Sequence, residues 1–187
     1  MIADILKNDL WVLIVLSINL AASVSYFIII SNPRLKEKFY KLPVLIQKIY
    51  VLFFVLPLFI SPFLAHFKLD LNNISITIGL CLSIIGILFI LLSFLKIGTV
   101  PSITKAGLKT SGVYQIVRHP IYAGTLIVFA GLNLLTSSAI PIFYFPVSML
   151  LYYLMTYFEE KDLLKIYGKE YIDYREKVKF RLIPFVI

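Results

Sequence analysis

The sequence predicts an all-α, polytopic membrane protein. Five transmembrane helices are expected, the last two a hairpin, with an amphipathic C-terminal helix at the cytoplasmic interface. Three observations carry this. Apolar residues make up 60% of the 187 and charged residues only 15%, with a mean hydropathy of +0.92, which excludes an ordinary soluble domain. The apolar sequence falls into membrane-spanning lengths rather than short core segments. The lysines and arginines gather in alternate connections.

The first span covers residues 10–30 and stops at Ser31-Asn32-Pro33. It is too long and uninterrupted for a cleaved signal peptide, and no small-residue cleavage site follows it. A basic loop comes next, with Arg34, Lys36, Lys38, Lys41 and Lys48 against a single Glu37. The second span, 45–66, contains Pro57 and Pro62, which remove backbone donors and predict a kink. The third, 74–95, carries Gly79 and Gly86, which permit close helix contact. Cys81, the only cysteine, reads as a small buried hydrophobe within it.

Residues 96–119 are polar and glycine-containing, unsuited to lipid and too long for a minimal turn. Thr110 and Ser111 are positioned to cap a short helix leading to Arg118, and Pro120 suits the first position of the next helix. No residue between His119 and Glu159 carries a full charge. That is too long for one span and predicts a hairpin turning at 136–141, with a short fourth span at 120–135 and a fifth at 141–158.

Counting cations places the 31–44 loop, the 96–119 segment and the tail on one side, with only Lys7 and Lys68 opposite. The expected topology has the N-terminus outside and the C-terminus cytoplasmic. The net charge of +8 then reads as orientation against an anionic leaflet rather than nucleic-acid binding. In the tail, Leu163, Tyr167, Tyr171, Tyr174 and Val178 recur at helical spacing opposite a charged face, and Gly168 breaks or bends the helix. All of this fits one domain, residues 1–187.

The chemistry concentrates at 112–124, where Arg118, His119, Tyr114 and Tyr122 meet a helix start. Arg118 and Glu159 lie almost equally far from Ser138, on either side of the turn, so the hairpin brings them to one membrane face. Glu159, Glu160 and Asp162 are three like charges within four residues and need cationic partners, which Arg118 or a ligand ammonium supplies. Exposed N–H groups at the helix start favour an anionic group. No cysteine–histidine metal spacing exists, and His66 and His119 stand far apart, so no metal is expected. Taken singly, these residues also suit plain interfacial anchors.

Gly112-x-Tyr114, Arg118-His119-Pro120-x-Tyr122-x-Gly124 and Glu159-Glu160 together resemble the isoprenylcysteine carboxyl methyltransferase family. Tyr167-Gly168-Lys169-Glu170-Tyr171-x-x-Tyr174 and Arg181-Leu182-Ile183-Pro184 continue the match. It covers about the C-terminal half. The resemblance implies an integral membrane enzyme using S-adenosyl-L-methionine, and related phospholipid N-methyltransferases share the pattern. By position it implies cofactor contacts at Tyr114, His119, Pro120, Ile121, Tyr122 and Glu159, and at Ala106, Gly107, Leu108 and Lys109. Arg118, His119 and Glu160 are the candidate catalytic residues, with His119 or Glu160 as base for an acceptor that needs one. Met155 stands where the family usually has a substrate-binding arginine. The expected partners are the bilayer and a lipophilic or prenylated substrate. Sterol-type NADPH reductases have a similar Arg-His-Pro and Tyr-Gly pattern, but the acidic pair at 159–160 opposes a 2′-phosphate. The remaining alternative is a membrane scaffold without activity.

Overall fold

The computed structural model describes residues 7–97 and 107–183. Among these the fold is helical throughout. Its elements are α1 (Leu10–Ser31), α2 (Pro33–Tyr40), α3 (Val44–Leu64), α4 (Asn73–Ile97), a 3₁₀ turn (Gly112–Gln115), α5 (Pro120–Thr136), α6 (Ala139–Tyr167) and α7 (Lys169–Lys177). Four of them, α1, α3, α4 and α6, are long and apolar enough to cross a membrane. At 17 residues, α5 spans only about 26 Å against a hydrocarbon core of about 30 Å.

Several boundaries differ from expectation for identifiable reasons. Part of the basic loop is the helix α2, because the Asn32 side chain accepts from the Arg34 and Leu35 N–H groups and Pro33 sits in its first turn. The turn expected at 136–141 contracts to Ser137 and Ser138, with Ser137 left-handed at φ 54°, so α6 begins two residues before Pro141. At its other end α6 continues beyond Phe158 into the charged tail. It stops at Gly168 (φ 51°), a backbone conformation that glycine adopts without a side-chain penalty. Ser111 stands at the N-cap of the 3₁₀ turn but makes no side-chain cap there. Cys81 is exposed rather than buried. Pro57 and Pro62 both lie inside α3. Pro62 cannot donate to the Leu58 carbonyl, and the Ser61 hydroxyl reaches that oxygen at 3.4 Å instead.

The bundle is organised by small residues as much as by large ones. α4 buries only Gly79, Ser83, Gly86 and Ser93, while Ile74, Ile84, Leu91 and Leu95 face outward. Its glycines lie against Gly124 and Gly131 of α5, and a Cβ on any of the four would fall within 2.8 Å of a backbone atom of the opposite helix. Backbones pack this closely where the surrounding medium supplies no hydrophobic drive between helices. On the other side of α5, Val12, Leu16, Leu58, Leu126, Phe129 and Tyr152 form the main core, joined by Leu182 from the tail.

One end of the bundle is closed by a polar buckle. The buried Asp9 carboxylate accepts from the His66 N–H at 2.5 Å and the Phe67 N–H at 3.1 Å. Lys68 Nζ donates to the Ser138 hydroxyl at 2.9 Å, and the Ala139 N–H donates to the Phe67 carbonyl at 3.0 Å. The candidate site lies at the opposite end of α5 and α6.

Candidate active site

The site begins with a backbone pairing. Arg118 and His119, just before α5, donate their N–H groups to the carbonyls of Phe180 (2.9 Å) and Arg181 (3.0 Å). The Arg118 guanidinium extends the same clasp, its Nη1 donating to the carbonyls of Val178 (2.8 Å) and Lys179 (2.7 Å). The tail segment 178–182 is thereby laid along the start of α5. Behind it, Tyr171, Tyr174 and Val178 pack with Leu108, Leu163 and Tyr167. The apolar face anticipated in one tail helix is thus preserved across the break at Gly168. The Tyr174 hydroxyl donates to the Tyr114 carbonyl at 2.7 Å, fixing the 3₁₀ turn against α7.

The two adjacent glutamates have different surroundings. Glu160 is 4% exposed and takes Arg118 Nε on one oxygen at 2.7 Å and Arg181 Nη2 on the other at 2.8 Å. Glu159, half-buried, accepts from the Tyr122 hydroxyl and lies 3.5 Å from His119 Nδ1. Arg118 therefore pairs with Glu160, and the proximity expected between Arg118 and Glu159 resolves one residue further along α6. His119 sits between the carboxylates. Its Nε2 is 3.4 Å from Glu160 Oε1, close enough for attraction but without hydrogen-bond alignment. Its ring stacks on Tyr122 at 6.0 Å, and Tyr122 meets Tyr152 edge-on at 5.2 Å.

Electrostatics follow from this layout. Burial opposes the charged form of His119, but the adjacent carboxylates of Glu159 and then Glu160 outweigh it and raise its pKa. Burial, followed by nearby negative charge, raises the Tyr114 phenol. Lys36 of α2 pairs with Asp162 of α6, which puts α2 beside the glutamate end of α6.

The His119 shift predicts a pH dependence. Its contribution to stability is complete below the unfolded-state value of 6.5 and is lost as pH rises through the higher folded value. Thermal melts in detergent should therefore fall with rising pH in that window, and His119→Gln should remove this component.

Of the residues singled out in the sequence, Arg118, His119, Tyr122, Glu159 and Glu160 come together directly. Tyr114 and Pro120 are buried beside them and Ile121 is half-buried. Leu108 packs on the α7 tyrosines. Ala106 lies outside the described residues, and among the described residues no hydrogen bond joins Gly107 or Lys109 to His119 or Glu159. Sequence reasoning assigned no role to Arg181, whose partners are far away along the chain. Its signal was the otherwise uncompensated acidic pair. Among the described residues, no group of three or more His, Cys, Asp or Glu could hold a metal ion.

Comparison with known proteins follows the same stretch of chain. The model of a family described as Phospholipid methyltransferase matches residues 74–170, from α4 to the first turn of α7. A methanethiol S-methyltransferase of Crocosphaera subtropica is 36% identical over 83 residues, 44% of this chain and 31% of that protein. Protein-S-isoprenylcysteine O-methyltransferase B of Arabidopsis thaliana is 35% identical over 80 residues, 42% of this chain and 40% of its own. A Delta(14)-sterol reductase of Mus musculus is 35% identical over 95 residues, 47% of this chain and 22% of that protein. The matched region spans less than half the length of each of these relatives.

Proposed function

From the premise that the chain belongs to the phospholipid methyltransferase family, we propose that it is a multi-pass membrane methyltransferase that uses S-adenosyl-L-methionine on a lipophilic acceptor. The observation that carries this is the unequal treatment of the two glutamates. Both Glu160 oxygens are committed to guanidinium groups. Among the described residues Glu159 takes only a hydroxyl and the edge of an imidazole, and it stands beside the aromatic rings of Tyr122 and His119. A carboxylate with aromatic neighbours suits a cationic ligand, and the start of α5 offers backbone N–H groups to an anionic one. The residues present therefore fit a ligand that carries ammonium, sulfonium and carboxylate groups.

When bound, the donor supplies a methyl group on a positively charged sulfur that is already a good leaving group. The protein's task is then alignment rather than activation. In this reading Tyr114, Pro120, Ile121, Tyr122 and Glu159 contact the donor, with His119, and Gly107–Lys109 border it. Arg118 and Glu160 hold the site's shape. Both Glu160 oxygens are occupied by its arginines, so an amine or thiol acceptor attacks through its neutral lone pair as the donor's sulfur–methyl bond breaks, and the methylated product then releases its proton to solvent.

The acceptor side is apolar. Met155, 2% exposed, packs with Ala22 and Phe54, with Tyr26 and Tyr50 against them, and among the described residues no cation belongs to that cluster to clamp a carboxylate. This favours a neutral lipophilic nucleophile, such as a thiol or amine, over a prenylcysteine carboxylate. The proposed topology keeps α5 as a fifth, short span, with the N-terminus outside and the tail and site cytoplasmic. Lateral access of the acceptor from the bilayer follows from that placement.

Calorimetry of purified protein with S-adenosylhomocysteine tests the reading, with NADPH as the competing ligand. Saturable binding of the former alone is expected, weakened at least tenfold by Glu159→Gln, the loss of one charge-assisted contact. No binding by the native protein would sink the proposal, and binding of NADPH alone would move it to a reductase. Methyl transfer from labelled donor to thiols, phospholipids and prenylcysteine analogues then identifies the acceptor class.

A further inference from the structure

We propose that Arg181 is a positioning residue that neutralises Glu160 jointly with Arg118, so that Glu159 alone presents negative charge to the ligand and His119 keeps its place between the two carboxylates. This rests on the donor-binding reading for its consequence, but its geometry stands independently. Arg181 closes a ring: its carbonyl accepts from the His119 N–H at 3.0 Å, and its Nη2 donates to Glu160 Oε2 at 2.8 Å. Arg118 Nε holds the other Glu160 oxygen at 2.7 Å. The guanidinium lies 4.9 Å above the Tyr153 ring, which sets its plane, and its side chain is 15% exposed.

Two carboxylates on consecutive residues would otherwise repel each other and share a bound cation. With two guanidiniums on Glu160, the arginine–glutamate group carries a net positive charge, and Glu159 is left as the acid that a sulfonium or ammonium meets. Arg181 touches neither Glu159 nor Tyr122 by any hydrogen bond among the described residues, so its effect passes through Glu160 and His119.

The groups facing His119 are Arg118 beside it, Tyr122 on its own helix, Glu159 and Glu160 on α6, and Arg181 on the tail. Tyr171 on α7 lies near Glu160. Removing the Arg181 charge leaves Glu160 more negative towards the imidazole, which moves the His119 titration to higher pH.

The chain has two histidines, so nitrogen-labelled imidazole NMR of the detergent-solubilised full chain can follow His119 directly, with His66→Gln identifying the other resonance. Arg181→Gln should shift the His119 titration upwards and weaken S-adenosylhomocysteine binding about tenfold or more, and Arg181→Lys should restore most of both. An unchanged His119 titration in Arg181→Gln would overturn the proposal, as would a shift that Arg181→Lys fails to reverse. If the native protein binds no S-adenosylhomocysteine while the titration shifts and reverses, the positioning role stands and the donor assignment falls.

Discussion

Glu160→Ala is expected to lower stability by about 3–5 kcal/mol and to release the tail from the start of α5. The substitution leaves two guanidinium groups at a site where their side chains are only 8% and 15% exposed. Arg118 keeps its bonds to the Val178 and Lys179 carbonyls, whereas Arg181 loses its only ion pair among the described residues. The damage should therefore concentrate at residues 178–182. Glu160→Gln retains one acceptor oxygen and should cost less. Glu37→Ala provides the control, because the Lys41–Glu37 pair is 74% and 68% exposed and should be worth less than about 0.5 kcal/mol. Unfolding in detergent, read with limited proteolysis of the tail, separates these outcomes. A Glu160→Ala protein as stable as Glu37→Ala would show the buried cluster to be dispensable.

Gly131→Ala carries the second large effect, and here two opposing terms decide the sign. Alanine is intrinsically better than glycine inside a helix by about 1 kcal/mol. Against that, the new Cβ would lie 2.6 Å from the Ser83 backbone nitrogen and 2.7 Å from the Gly79 carbonyl oxygen. Neither atom can rotate away, so α4 must separate from α5. Overpacking of this kind costs about 1–3 kcal/mol and, against backbone, belongs at the upper end, so a net loss of about 2 kcal/mol is expected. Gly131→Val should prevent the close approach altogether. Thermal melts that show Gly131→Ala stabilised would mean that α4 and α5 are not in backbone contact.

Much of this was legible in the sequence because lipid imposes few and blunt constraints. Uncharged length predicted α1, α3 and α4 to within two residues at each end, and the start of α6, whose charged last turns run nine residues past the expected 158. Gly79 and Gly86 announced a close helix contact, because glycine in a membrane helix needs a packing reason, but its partner α5 emerged only from the fold. The site stretch was legible from the arginine, histidine and tyrosines at a proline-led helix start. What escaped reading depended on angle and distance along the chain. Successive helical residues point about 100° apart, so counting outward from Ser138 could not choose between Glu159 and Glu160 for Arg118. The α2 helix was hidden by its polarity and is set by a local cap at Asn32. The Arg181 contacts are formed by an extended segment with no periodicity to betray it.

The clasp between 118–119 and 178–182 has a consequence for the order of assembly. Its hydrogen bonds join positions 60 to 62 residues apart, and loop closure of that kind comes after local structure has formed. The helices can insert and pack as α4 meets α5 and α6 returns. The Arg118–His119 backbone nonetheless remains without its partners until residues 178–182 have been synthesised and docked. A chain interrupted before that segment would be inserted in the membrane yet have no finished site. Binding competence is thus a late event in this protein's biogenesis, separable in time from insertion.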